Sequence, residues 1–369
     1  MGGMVVKRGP RDPPASISDV TDATRTPILI DCDTGIDDSL ALLYACASQD
    51  AEIVAVTCVG GNVEARQVAE NTRAVLELAG RRDIPVALGR EQPLARPLMI
   101  TPETHGPRGI GYAELPPAKH PLSERHGADV IVEEARRRPG EVTLVSLGPL
   151  TNLAVAVLRE PELPRLLGRL VMMVGSYRAA GNTAPTTEWN AAVDPEALAI
   201  VLRAWAPDGP VTWPEPPRRP ICLGLDVTER AKLLPEHLSR LASHASCRPD
   251  GSPVRAGGAS NLIVRFLADA LRFYMEFHSR YDGFYGAFIH DPLAMAVALE
   301  PSLGKTEALT VDVELGGRLT TGETVTDWRR VWGRPPNVDI VVDADVDGFF
   351  ERFIERVGGL ASDPAGMAP

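Results

Sequence analysis

Ile28-Leu29-Ile30-Asp31-Cys32-Asp33-Thr34-Gly35-Ile36-Asp37-Asp38 is the stretch on which the reading of this chain turns. Its three leading residues form an unbroken apolar run, as a strand covered on both faces requires. Four carboxylates follow between Asp31 and Asp38. Buried without partners they would repel one another and forfeit their hydration. Capping of the following helix accounts for one of them, not four. In open α/β sheets the C-terminal edge of a strand is where ligands bind. Carboxylate oxygens clustered there suit a hard cation, Ca²⁺ or Mg²⁺.

Outward from this stretch, short β-rich runs alternate with helical patterns. Ile53 to Val59, Pro85 to Leu88, Val142 to Ser146 and Leu170 to Val174 read as strands. Asp38 to Ser48, Glu64 to Ala79, Ala128 to Arg138 and Leu150 to Leu158 read as helices. Strand and helix in succession imply right-handed crossovers. The fold expected is α/β, an open and mostly parallel sheet with helices on both faces. Pro207 to Pro220 contains six prolines and reads as a loop. Beyond it, Ile221 to Val227, Leu309 to Glu314 and Val338 to Val342 are expected as strands, and Asn261 to Phe277, Asp291 to Leu299 and Val346 to Val357 as helices. One domain over 27–357 is expected, with 1–26 and 358–369 as flexible tails.

Composition narrows the partners. The chain has 369 residues, 44% of them hydrophobic and 24% charged, an ordinary globular profile. Its formal charge of -11 repels phosphate backbones and anionic lipid, so no nucleic acid and no membrane partner is expected. A small neutral or cationic molecule fits better. The five cysteines are scattered, without a C-x-x-C pair. They form neither a disulfide framework nor a zinc site, and a reducing cytoplasm is the simplest compartment.

Several chemistries begin with such an acidic run. A calcium EF-hand loop counted from Asp31 would need Gly and Glu where Ile36 and Leu42 stand. A Mg²⁺-dependent phosphatase of the haloacid-dehalogenase type also opens with a strand and Asp-x-Asp. It would leave Asp37 and Asp38 unexplained and place Thr where Gly35 stands, so it is the alternative enzyme reading. A nucleoside- or ribose-binding protein without catalysis is the alternative outside enzymes. Five further stretches favour a third reading: Val59-Gly60-Gly61-Asn62, His105 to Gly111, Leu147-Gly148-Pro149-Leu150-Thr151-Asn152, Gly181-Asn182 with Glu188-Trp189-Asn190 and Asp194-Pro195, and His290-Asp291-Pro292. With the opening run, these resemble the inosine–uridine-preferring nucleoside hydrolase family over roughly Pro27 to Val357.

That resemblance implies a Ca²⁺-dependent hydrolase that splits ribonucleosides into free base and ribose. It implies Asp33, Asp38, Asp291 and the Leu147 carbonyl as metal ligands, and Asp37 as a partner of a ribose hydroxyl. Asn62, Met173, Asn182, Glu188 and Asn190 match the family's ribose-holding positions. A homodimer or homotetramer is the family expectation, and the resemblance at His290 implies an enzyme that either takes purine and pyrimidine nucleosides alike or leans toward pyrimidines. The residues support these roles independently. Breaking an N-glycosidic bond builds positive charge on the sugar, which carboxylates stabilise. A cation acidifies a water whose proton Asp33 can accept as general base. The His290 imidazole titrates near neutrality and is the expected proton donor to the leaving base. His105, in a glycine-flanked loop, and Tyr281 and Tyr285, before His290, are the candidates to meet the base. Asp194 before Pro195 reads as a helix cap and is left out of the site. Thr34, Arg108 and Val174 depart from the family pattern.

Overall fold

The structure is a computed structural model that describes residues 25–254 and 261–362. Its centre is an eight-stranded sheet. The first six strands are β1 (Thr26–Cys32), β2 (Ala51–Cys58), β3 (Val86–Leu88), β4 (Thr143–Ser146), β5 (Arg169–Met173) and β6 (Ile221–Leu223). Two late strands, Gly304–Leu309 and Val338–Ala344, complete it. In space the order is β3-β2-β1-β4-β5-β6, then Val338–Ala344 and Gly304–Leu309. All pairings are parallel except the last. The open parallel α/β sheet expected from the sequence is the fold observed.

Strand order explains where a ligand can bind. From β1 the chain winds outward through β2 to β3, then returns to start β4 on the other side of β1. The crossovers diverge at the C-terminal ends of β1 and β4, leaving a crevice there. Asp33 follows β1 and Leu147 follows β4.

Side-chain alternation along β1 feeds two cores. Ile28, Ile30 and Cys32 join the cluster containing Leu40, Tyr44, Phe349 and Phe353. Leu29 joins the opposite one, with Leu144, Leu153, Leu198 and Trp205. The apolar run is continuous because each face is covered by helices. Helix Ile36–Ala47 is buried from Ile36 through Ala45. It packs against helices His290–Leu299, Val346–Ser362 and Ala65–Leu78. Burial all round is why this helix shows no polar stripe.

Several boundaries differ from the sequence reading. The expected strand Ile221–Val227 stops at Leu223, and Leu225–Thr228 turns into a short helix after Gly224. The run near Leu309 divides into Gly304–Leu309, in the main sheet, and Val311–Val313, in a two-stranded ribbon with Thr324–Thr326. The long helix runs Leu262–Tyr281, four residues past Phe277, because the buried stripe continues through His278. The closing helix runs Val346–Ser362 with Gly358 and Ala361 buried, so the expected C-terminal tail does not begin at 358. Thr26, expected in the N-terminal tail, already pairs in β1. The remainder of both expected tails, 1–24 and 363–369, lies outside the described residues. Among the described residues, no helix is long and apolar enough to cross a membrane.

Candidate active site

Two helices bring the carboxylates together. Asp37 and Asp38 lie in the first turn of Ile36–Ala47, and Asp291 lies in the first turn of His290–Leu299. The two helices pack side by side, so their N-terminal turns meet at the sheet edge. Helix N-termini carry unpaired N–H groups and partial positive charge, which favour carboxylates there. Oxygens of Asp37, Asp38 and Asp291 all lie within 4.8 Å of one another, and all three side chains are buried. Residues separated by two thirds of the chain thus share one ion-sized cluster. Asp37, assigned by the resemblance to the sugar alone, belongs to that cluster.

Asp33 sits beside this group in a cradle made by two glycines. Its Oδ2 accepts the Asn62 backbone N–H at 2.8 Å. A Cβ on Gly61 would lie 2.1 Å from Asp33 Oδ2, and one on Gly148 would lie 2.7 Å from Oδ1. No side chain fits at either position. Asp38 accepts the backbone N–H groups of Gly35 at 2.8 Å and Asp33 at 3.3 Å, and the Asn62 side-chain amide at 3.2 Å. Asn62 therefore holds two carboxylates; it does not cap the helix after it, which begins at Ala65 behind Glu64.

The electrostatics describe a site short of positive charge. Burial, then repulsion from Asp38, lifts the Asp37 carboxyl to about 8. Burial with mutual repulsion pushes Asp33 and Asp291 well above the ordinary carboxylate range, and burial raises Asp38. Among the described residues no Lys or Arg lines the cavity that opens over them. Buried carboxylates collected without a basic partner fit a hard, oxygen-preferring divalent cation.

Asp31 departs from the group. It lies on the Leu29 side of β1, where its Oδ1 accepts from Thr57 Oγ1 at 2.6 Å and Asn152 Nδ2 at 2.8 Å. Burial lifts its carboxyl to about 7. Three of the four opening carboxylates serve the crevice, and the first fastens the helix-start residue Asn152 to the sheet.

A cavity of about 550 Å³ opens over the cluster. Asp33, Asp37, Asn62, His105, Leu147, Met173, Asn182, Glu188, Asn190, Tyr281, His290 and Asp291 all line it. Asn190 Nδ2 donates to the Leu147 carbonyl at 2.7 Å and the Met173 carbonyl at 3.0 Å, joining the ends of β4 and β5. The Glu188 carboxylate accepts backbone N–H groups of Gly175, Asn190 and Ala191 at 2.8 to 3.1 Å, so it is a helix cap as well as cavity wall. Asn182 is exposed at the rim, its Oδ1 accepting the Trp189 N–H. His105 Nδ1 accepts the Ile36 N–H at 3.1 Å and so caps the aspartate helix. His290 Nδ1 lies 2.8 Å from Thr228 Oγ1.

Tyr285 is absent from the lining and is 50% exposed. The chain reverses at Gly283, with φ of 74°, and Phe284 turns inward to pack on Phe288 in its place. Tyr281 reaches only the rim, 61% exposed. The departures from the family pattern sit away from the cavity. Val174 packs in the Leu29 core, and Gly175 supplies the left-handed backbone next to it. Thr34 Oγ1 pairs with Thr72 at 2.7 Å, and Arg108 is exposed.

Sequence reasoning missed Tyr274, His278 and Asp282, all of which line the cavity. They are spaced four apart at the end of helix Leu262–Tyr281: Tyr274 and His278 continue the buried face begun by Ile263, Leu267 and Leu271, and the exposed Asp282 is the residue at the helix end. Polar residues prolonging an apolar stripe at helical spacing were the available signal.

The comparisons agree with this geometry. The family model for inosine-uridine preferring nucleoside hydrolases matches residues 28–351. The chain is 35% identical to the pyrimidine-specific ribonucleoside hydrolase RihA of Citrobacter koseri over 337 residues, 91% of this chain and 99% of that protein. It is likewise 35% identical to the RihA of an Escherichia coli O7:K1 strain, covering 90% of this chain and 98% of the relative. Among solved structures, the purine-preferring ribonucleoside hydrolase from Gardnerella vaginalis superposes with a TM-score of 0.80 at 28% identity, covering 91% of this chain and 99% of that one. With its sheet, its crevice and nearly its whole length accounted for in this way, the chain is a nucleoside hydrolase of the inosine-uridine preferring family.

Proposed function

We propose that this chain hydrolyses ribonucleosides to free base and ribose in the 550 Å³ cavity, with Ca²⁺ as its cofactor and pyrimidine nucleosides as preferred substrates. The observation that carries the reading is the meeting of Asp37 and Asp38 with Asp291 on the cavity floor, beside the cradled Asp33. Asp33, Asp38, Asp291 and the Leu147 carbonyl would hold the ion, with Asp37 positioned to share it or to take a ribose hydroxyl. When bound, the cation supplies positive charge that fixes vicinal hydroxyls and acidifies water. The pyrimidine preference is supported by relatives whose names carry that specificity.

The protein's own groups divide the work. Asp33 is the general base: burial and the Asp38 charge raise its proton affinity, as a group that must take a proton from water needs. The carboxylates of Asp33, Asp37 and Asp291 face the ring on which cationic character grows as the C1′–N bond lengthens. Asn190 spends its amide hydrogens on two backbone carbonyls, which leaves its Oδ1 for a sugar hydroxyl. Asn62 fixes Asp33 and Asp38, and Glu188 fixes Asn190. His290, the donor expected from the sequence, belongs with His105 to the imidazole wall on the base side. A cytoplasmic homodimer or homotetramer completes the proposal.

Reducing-sugar release from uridine, cytidine, inosine and adenosine, with and without a chelator, tests it. Sugar release that a chelator abolishes and Ca²⁺ restores is expected, fastest for a pyrimidine. Phosphate release from monoesters with no sugar release, or tight nucleoside binding without turnover in excess Ca²⁺, would overturn it.

A further inference from the structure

Two buried carboxylates stand outside the ion cluster, those of Asp31 and Asp194, and both reach one loop. That loop, Leu147 to Leu150, joins β4 to helix Thr151–Arg159. Its first residue offers the carbonyl proposed for the ion, and its second is pressed against Asp33. A Cβ on Gly148 would lie 2.7 Å from Asp33 Oδ1. Pro149 closes on the other wall of the same cradle, where a Cβ on Gly61 would lie 2.9 Å from its Cδ. A shift of the loop therefore disturbs the Leu147 carbonyl and the Asp33 carboxylate together.

Thr151 and Asn152 open the helix without capping it, since Leu150 holds the cap position. Both side chains are engaged elsewhere. Asn152 Nδ2 donates to Asp31 Oδ1 at 2.8 Å and to the Cys58 carbonyl at 3.1 Å, and its Oδ1 accepts the Arg90 N–H at 2.7 Å. One amide thus ties the loop to the ends of β1 and β2 and to the chain just past β3. The fit is close: a Cβ on Gly89 would lie 2.1 Å from Asn152 Oδ1. Thr151 Oγ1 donates to Asp194 Oδ2 at 2.7 Å, and the same oxygen accepts the Leu94 N–H at 2.9 Å. Asp194 Oδ1 accepts the Ala197 N–H at 3.0 Å and caps helix Pro195–Trp205. Capping needs only that oxygen, and the other is given to the loop.

We propose that Asp31 and Asp194 are positioning residues for the ion site: acting through Asn152 and Thr151, they fix the loop that sets the Leu147 carbonyl and Gly148 against Asp33. The inference rests on the proposed ion site and names what holds one wall of it. Neither carboxylate lines the cavity, so neither acts on a substrate directly. Partners one step behind a ligand orient it, and their loss weakens metal affinity although no ligand is removed. What Asp31 supplies is an acceptor oxygen rather than a charge. Thr57 and Asn152 both donate to its Oδ1, whereas Oδ2 is buried with no partner among the described residues. An amide nitrogen in place of Oδ2 breaks no hydrogen bond, and the Ser146 hydroxyl, opposite Asp31 in the sheet, is itself unpartnered among the described residues.

The experiment titrates Ca²⁺ calorimetrically into chelator-treated wild type, D31A, D31N, T151V, T151S and V338A. It also measures kcat for uridine and for p-nitrophenyl riboside, whose leaving group needs no proton. V338A is the control for lost stability, because Val338 lies in the Leu29 core on a strand separated from β4 by β5 and β6. Ca²⁺ affinity is expected to weaken about 10- to 100-fold in D31A and about fivefold in T151V. D31N and T151S keep the hydrogen bonds and should stay within about twofold of wild type. In D31A and T151V kcat should fall for both substrates alike, whereas V338A should lower Tm and leave affinity within about twofold. T151V changes little in shape, so it keeps the test open should D31A fail to fold. Affinity in D31A and T151V no weaker than in V338A, or D31N as weak as D31A, overturns the positioning roles. Wild type that binds no Ca²⁺ overturns the ion site and this inference with it. Wild type that releases no sugar, yet binds Ca²⁺ and loses affinity in D31A and T151V, overturns the hydrolase reading and bears this inference out.

Discussion

The two ends of the cavity are built differently. At the acidic end, Asp33, Asp38, Asn62, Leu147 and Asn190 are held largely by backbone groups at strand ends and helix starts. The fold itself sets those positions. At the aromatic end, Tyr274, Phe277 and His278 of helix Leu262–Tyr281 and Phe288 of the two-residue strand Ala287–Phe288 hold one another by ring packing. The first end can be rigid for every substrate, and the second can change with the base to be released. If the acidic end takes the ribose and the aromatic end the base, as proposed, damage at the first should slow all substrates alike, whereas damage at the second should follow the leaving group.

The sharpest attempt to break that contrast is at Asp33. Asp33→Ala should lower kcat by about 10³-fold for uridine and p-nitrophenyl riboside alike, because loss of a general base affects both. Losses that differ between the two substrates would place Asp33 on the base side. Next is Gly61→Ala, whose added Cβ would lie 2.1 Å from Asp33 Oδ2. It should displace the carboxylate and cost roughly 100-fold in kcat for both compounds; near-normal activity would mean that the cradle does not set the Asp33 position. Thr228→Val removes the hydroxyl beside His290. One neutral hydrogen bond contributes on the order of 1 kcal/mol, so about a fivefold loss is expected, for uridine only.

Acidity separates the ends as well. Burial raises Asp37 to about 8 and Asp31 to about 7, so the folded chain keeps protons that the unfolded chain releases near pH 4. A carboxyl whose folded pKa lies above its unfolded value favours folding least once both states are ionised. In chelator the Tm should therefore fall as pH rises from about 4 to 8, and added Ca²⁺ should raise Tm more at pH 8 than at pH 5. An equal Ca²⁺-induced shift at both pH values would contradict the linkage between the ion and the Asp37 carboxylate.

The same contrast decides what could be read in advance. Strand β1, the acidic run and the His290-Asp291-Pro292 junction are short, local and tied to the sheet edge, so their place in the fold follows from chain order. The partition of Asp31 from Asp33, Asp37 and Asp38 was not local. It depends on the alternation of β1 and on Asn152, 121 residues away. Tyr285 looked equivalent to Tyr281 until the left-handed turn at Gly283 sent Phe284 inward. His278 carried no motif, only its spacing from Tyr274 and Asp282.

Calorimetric titration of Ca²⁺ into chelator-treated wild type and D291N measures the central claim most directly. One ion per chain in wild type, with affinity weakened at least about 100-fold in D291N, is the outcome expected of a cation gripped by carboxylates from both ends of the sequence. No binding in wild type, or equal affinity in the two proteins, would contradict it.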